Sequence, residues 1–218
     1  MIIFENFTLQ HKSKVLLKNY SGCFLKQQLI GITGANGSGK TSVLRALAGL
    51  NSQYTGTIFL NHKNLSALSL KNLAPLRTYI PATPLCHWEL STQQILEIEN
   101  PFFHPTHPLL DTLDLRPLLN QNFSTLSSGE KARAFLVYAL MKNTDLLLLD
   151  EITSHLDDRY QDLTLGLLQE HAQKGKTIFL SLHQKNLALA YCDQVLWLEN
   201  QSFSFLKKIH PILKEVRS

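Results

Sequence analysis

The sequence predicts an α/β fold in which a parallel sheet is covered by helices on both faces. Three observations lead there. From residue 29 onward, short apolar runs of strand length alternate with stretches of helical spacing, and strands separated by helices pair in parallel. A glycine-rich loop joins one such strand to one such helix. Finally, 218 residues with 44% hydrophobic content bury roughly 70% of the surface of the unfolded chain, a core that needs no disulfide or metal staple.

The elements follow in order. Residues 2–9, 15–17 and 20–24 read as strands, broken by the polar turn His11-Lys-Ser-Lys. Residues 29–33 are a short apolar strand, and residues 41–50 have helical spacing ended by Gly49. Residues 56–60 and 77–80 are further strands. From 91 to 119 the spacing is helical but interrupted by Pro101, Pro105, Pro108 and Pro117, which predicts a small insertion of short helices. A helix over 130–141, a strand over 146–149, a helix over 158–173 and a strand over 177–182 come next. Residues 194–198 and 202–206 form a final strand pair, followed by a basic tail.

Several classes fall away at this stage. No apolar run approaches the roughly 20 residues of a spanning helix. The start Met1-Ile-Ile-Phe-Glu-Asn lacks the basic residues of a signal peptide, so the chain reads as soluble and not secreted. Cys23, Cys86 and Cys192 lie far apart with no C-x-x-C pair, which indicates neither a disulfide framework nor a zinc site and fits a reducing cytoplasm. A scattered net charge of +4 is too mild to point to nucleic acid. Charged residues are 17% of the chain against roughly 25% on average, a hint that a partner covers part of the surface.

Chemistry concentrates in two places. Gly34-Ala-Asn-Gly-Ser-Gly-Lys40-Thr41 matches the phosphate-loop pattern G-x-x-x-x-G-K-[ST] in full, between a strand and a helix. Its glycines turn backbone N–H groups toward phosphates, Lys40 reaches the β- and γ-phosphates, and the Thr41 hydroxyl can ligate Mg²⁺. Downstream, Leu146-Leu-Leu-Leu-Asp150-Glu151 sets two carboxylates at the end of an apolar strand. Asp150 suits the Mg²⁺ shell and Glu151 suits polarising a water, although such a pair also caps helices. Between these motifs, Leu126-Ser127-Ser128-Gly129-Glu130 precedes a helix, where a serine is ordinarily an N-cap.

Taken together, these motifs resemble the ATP-binding-cassette (ABC) ATPases, whose signature is L-S-G-G-Q, and the order of motifs matches from Ile2 to about Phe205. Ser154-His-Leu156-Asp157 resembles that family's D-loop, His183 its switch histidine, and His11 stands where an aromatic stacks on adenine. The resemblance implies a P-loop NTPase with a RecA-like parallel sheet, an N-terminal antiparallel β subdomain and a helical subdomain inserted at about 88–142, within one nucleotide-binding domain of residues 1–218. It implies ATP and Mg²⁺ as cofactors. ATP contacts fall on His11, Gly34, Asn36, Gly37, Ser38, Gly39, Lys40, Thr41, Ser42 and Asp150, catalysis on Glu151 and His183, and Mg²⁺ on Thr41 and Asp150. Ser127, Ser128, Gly129 and Glu130 contact ATP from a second subunit, with Asp157 beside them. One departure matters most: in Arg77-Thr-Tyr79-Ile-Pro81-Ala82-Thr83, Ala82 stands where the family has a glutamine that contacts Mg²⁺ and the catalytic water. Ser128, Ile152 and Gln27 are milder departures.

The resemblance further implies a homodimer, or a pair with another such ATPase, on the cytoplasmic face of the cell membrane, driving a permease that is a separate chain. No nucleic-acid partner is expected. Leu85, Trp88, Leu90, Phe102 and Phe103 cluster where the permease would dock, or form the core of the helical insertion. Short segments around residues 64–81, 91–105 and 183–191 look like importers of ferric chelates, haem or cobalamin. The haem-exporter ATPase of cytochrome c maturation and a non-transport module with weak turnover are the alternatives, the latter motivated by Ala82. Cassettes acting on DNA or ribosomes would carry a coiled coil or tandem repeats, and this sequence has neither.

Overall fold

A computed structural model describes residues 1–83, 89–98, 100 and 103–206. Two sheets organise it. The first has strand order β2-β1-β4-β5, built from β1 (Ile2–His11), β2 (Lys14–Phe24), β4 (Tyr54–Leu60) and β5 (Lys63–Asn64), all pairs antiparallel. The second has order β10-β9-β3-β8-β7-β6, with β3 (Leu29–Gly34), β6 (Arg77–Ile80), β7 (Leu146–Leu149), β8 (Thr177–Ser181), β9 (Gln194–Glu199) and β10 (Ser202–Phe205). Only the β9–β10 hairpin in it is antiparallel.

The first sheet depends on bulges. In β1 the buried residues are Ile2 and Phe4, then Phe7 and Leu9, so the two-residue period slips by one around Asn6, whose φ is 48°. The register with both neighbours shifts there, and the extra residue returns the apolar set to the core. A second bulge accounts for a difference from the sequence reading. Residues 15–17 and 20–24 belong to one continuous strand because Asn19 turns through φ 47° and donates its N–H to Thr8 Oγ1 at 2.9 Å, which keeps the ladder intact.

In the second sheet β3, β7 and β8 are buried on both faces, as parallel strands between layers of helix must be. Alternate residues serve two cores. Leu147, Leu149, Ile178 and Leu180 face one, and Leu146, Leu148, Phe179 and Ile32 face the other. The first core takes in α5 (Ser128–Met141), α6 (Asp158–Gln173), α3 (Thr92–Glu97) and α4 (Pro108–Thr112). The second takes in α1 (Lys40–Leu47) and the antiparallel sheet. The short helices α3 and α4 lie between β6 and β7, where the proline spacing places them.

Among the described residues two α-helices have no counterpart in the sequence reading: α2 (Leu70–Leu73) and α7 (Lys185–Tyr191). The first is one turn long, and α7 has no side-chain cap and is apolar without interruption from Leu187 to Tyr191, so neither shows a helical period to read. Helix α1 ends at Leu47, three residues before its expected limit, with Gly49 at φ 69° just beyond. Among the described residues no helix is long and apolar enough to cross a membrane.

Phe24 joins the two sheets. Its ring lies 6.0 Å from Phe4 on β1 and 5.2 Å from Phe179 on β8, both edge to face, and it is fully buried. Phe24→Ala opens a void between the sheets and is expected to cost about 3–5 kcal/mol. Urea unfolding followed by tryptophan fluorescence measures it.

Candidate active site

Parallel pairing brings the ends of β3, β7 and β8 to one edge of the sheet. From β3 the chain enters the phosphate loop with Gly34, Gly37 and Gly39 at φ 149°, 72° and 116°. A Cβ at Gly34 would stand 2.6 Å from the Leu198 carbonyl, and one at Gly39 would stand 3.1 Å from Leu16. Space as well as backbone angle therefore requires glycine at Gly34, while at Gly39 it is the left-handed backbone that favours it. Gln27, before β3, adopts φ 62°, a left-handed backbone in which glycine is the least strained residue.

Lys40 opens α1 and folds back into the loop. Its Nζ donates to the carbonyls of Gly34 at 3.0 Å and Ala35 at 3.3 Å, and the residue is buried. Burial pushes its ammonium below the usual lysine range, while Glu151 and Asp150 act in the opposite direction. In front of the loop is a cavity of about 450 Å³. His11, Asn36, Gly37, Gly39, Lys40, Thr41, Ser42, Glu151 and His183 all line it, which places most of the residues expected from sequence around one space. Lys14 and Leu16 also line it. Sequence reasoning passed over them, although Lys14 pairs with His11 across the β1–β2 turn.

Asp150 and Glu151 diverge at the end of β7. Asp150 is 1% exposed, and its Oδ1 accepts from the Ser181 hydroxyl at 2.6 Å. Its Oδ2 is buried with no hydrogen-bond partner. Glu151 turns through φ 51°, donates its N–H to Ser181 Oγ at 2.8 Å, and sets Oε1 2.9 Å from His183 Nε2. Neither carboxylate caps the next helix; Asp157 does so, accepting from Tyr160 N–H at 2.9 Å. Ser181 is a further residue sequence reasoning missed, its one signal being a hydroxyl that follows the apolar run Ile178-Phe-Leu180.

A buried carboxylate oxygen lacking a partner, close to a phosphate loop with a free threonine hydroxyl, fits a hard cation that takes its remaining ligands from phosphate and water. Among the described residues no group of three or more His, Cys, Asp and Glu could hold a metal.

The signature residues lie apart from this cavity. Ser127 caps α5 in a reciprocal box: Glu130 N–H donates to Ser127 Oγ at 3.3 Å, and Ser127 N–H and Oγ donate to Glu130 Oε2 at 2.8 and 2.7 Å. These bonds hold the Glu130 carboxyl below its usual range. Gly129 packs so closely on the His155 carbonyl that a Cβ would stand 3.0 Å from it. Ser128 instead lines a second cavity of about 230 Å³ with Ala82, Thr83, Lys131, Glu151 and His155. Of the proposed docking residues, Leu85, Trp88 and Phe102 lie outside the described residues, as does Cys86. Leu90 and Phe103 pack on the core of the helical insertion.

The loop, the carboxylate pair and the strand order define a nucleoside triphosphatase of the phosphate-loop class. Residues 17–154 match the family model described as ABC transporter. The hemin import ATP-binding protein HmuV of Idiomarina loihiensis is 31% identical over 202 residues, covering 86% of this chain and 78% of that protein. The vitamin B12 import ATP-binding protein BtuD of Vibrio atlanticus is 33% identical over 194 residues, covering 80% and 76%. A solved structure described as the ATP binding subunit of an ABC transporter superposes with a TM-score of 0.83 at 23% identity, covering 94% of this chain and 90% of that one. The chain belongs to the ABC transporter family, and it is an ATP-binding ATPase.

Ser181→Ala leaves the Asp150 Oδ1 and the Glu151 N–H without their partner. The expected result is a stability loss of about 1–3 kcal/mol and a turnover lower by about ten- to a hundredfold, because Glu151 is no longer held in place. Denaturant unfolding and a phosphate-release assay measure the two effects.

Proposed function

We propose that this chain is the ATP-hydrolysing subunit of an importer, two copies of which close around ATP and drive a separate membrane permease from the inner face of the cell membrane. The pair consists of two copies of this chain or of this chain and another such ATPase. One observation carries the reading: Lys40, Glu151 and His183 share a cavity that residues 127–130 of the same chain do not line. A second copy supplies what is missing, presenting the N-terminus of α5 to the γ-phosphate. The import function of the hemin and vitamin B12 relatives supports uptake of an iron chelate, haem or cobalamin. Residues 1–218 then act as one nucleotide-binding domain, with 88–142 as its helical subdomain.

In this reading each residue has a task. His11 stacks on the adenine, with Leu16 beneath it. Residues 34–42 bind the phosphates through backbone N–H groups, and Lys40 exchanges its two carbonyl partners for phosphate oxygens. Thr41 and Asp150 hold Mg²⁺, which when bound neutralises charge developing on the phosphates. Glu151 accepts a proton from the attacking water. His183, fixed by its 2.9 Å contact to Glu151, bonds the γ-phosphate. Asp157 caps α6 and sets the loop that faces the second copy. When hydrolysis and release remove the group that both halves hold, the pair opens.

Three sets of variants test this. Lys40→Ala is expected to lose nucleotide affinity, whereas Glu151→Gln keeps it and loses turnover by about a hundredfold or more. ATP with Mg²⁺ should convert the Glu151→Gln protein to a dimer in light scattering, and Gly129→Asp should prevent it; a single mass throughout refutes the sandwich. Ala82→Gln restores the carbonyl of the family's glutamine beside Glu151, and it should raise turnover at saturating ATP if that missing ligand limits the rate. A loss on Thr83→Ala instead identifies Thr83 as its substitute.

A further inference from the structure

Arg133 lies one helical turn beyond Gly129 on α5, is 8% exposed, and has no task in the reaction above. Its Nη1 donates to the Leu113 carbonyl, to the Asp114 carbonyl at 3.4 Å and to the Tyr160 hydroxyl at 3.1 Å. The guanidinium carbon stacks 4.3 Å from the centre of the Tyr160 ring. Tyr160 Oη donates in turn to Asp114 Oδ2 at 2.6 Å. Asp114 has φ 49°, just after α4, where glycine is the least strained choice. What aspartate adds at that position is the carboxylate.

These bonds join three elements: α5, which begins at the signature turn; the turn that ends α4; and the first turn of α6, which Asp157 caps. A second contact between the same parts is the close approach of Gly129 to the His155 carbonyl. The two contacts lie one turn apart along α5. The Gly129 contact sets how near the helix approaches the loop at 154–157, and the Arg133 bonds set its rotation about that point.

We propose that Arg133, Tyr160 and Asp114 form a clasp that positions the signature turn against the loop at 154–157, so that both meet a second copy as one rigid surface. The inference rests on the sandwich reading above. All three are positioning residues, since none lines the 450 Å³ cavity. Loosening the clasp leaves a single chain's own nucleotide binding intact and weakens closure of the pair.

The test uses Tyr160→Phe, which keeps the ring under Arg133 and removes both hydroxyl bonds, and Arg133→Lys, which keeps the charge and removes the stack and the fork. Both are made in the Glu151→Gln protein. Nucleotide affinity of the dilute monomer is read with a fluorescent ATP analogue, and the ATP-dependent monomer–dimer constant by sedimentation. Tyr160→Phe should keep the parent's nucleotide affinity and dimerise about tenfold more weakly. Arg133→Lys should be weaker still, and the double variant no weaker than Arg133→Lys alone, because the residues act as a unit. Parent-like dimerisation in both variants, even with a lowered melting temperature, overturns the clasp alone, as does an equal loss of nucleotide affinity. A parent that stays monomeric with ATP overturns the sandwich and the clasp together.

Discussion

The Ser181 hydroxyl makes two bonds at once, donating to Asp150 Oδ1 and accepting from the Glu151 N–H. The arrangement of the site depends on it. Pairing of Leu149 with Leu180 brings the ends of β7 and β8 level, and this hydroxyl then fixes how the chain leaves β7. Asp150 is held in the sheet with one oxygen committed and one unpartnered. Glu151 is turned into a left-handed conformation that a non-glycine residue adopts at a cost, and it meets His183, two residues beyond Ser181. A single oxygen thus orients two carboxylates in different directions.

Charge completes the arrangement. Lys40 lies within the influence of both carboxylates while its protons are engaged by loop carbonyls. The loop therefore closes on a cation that two of its own carbonyls hold at its centre. The alanine at position 82 lies on the other side of Glu151, in a space bounded by Pro81, Phe135 and Ile152. Residue 82 therefore borders Glu151 from a space separate from the one that the phosphate loop lines.

Much of this was legible in the sequence where a local signal exists. The strands at 77–80 and 146–149 and the helix at 158–173 are apolar or periodic runs with clear boundaries, and the structure places them at those residues. The phosphate loop and the Asp150–Glu151 pair were legible because their spacing is itself the chemistry. Bulges at Asn6 and Asn19 were not, since a bulge is defined by the strand across from it. Ser181 reads as one more residue of the strand over 177–182 until Asp150 is placed beside it. The role of Arg133 depends on Leu113 and Tyr160, which are 20 and 27 residues away.

The second sheet separates two cores, yet alternate residues of the same strand belong to each. Leu147 and Leu149 lie in one core while Leu146 and Leu148 lie in the other. Neither core can be dismantled without withdrawing β7 and β8 from the other. The helical side and the antiparallel side of the molecule, which differ in topology, are consequently coupled through the strands they share, so that a loosening of one core is felt in the other.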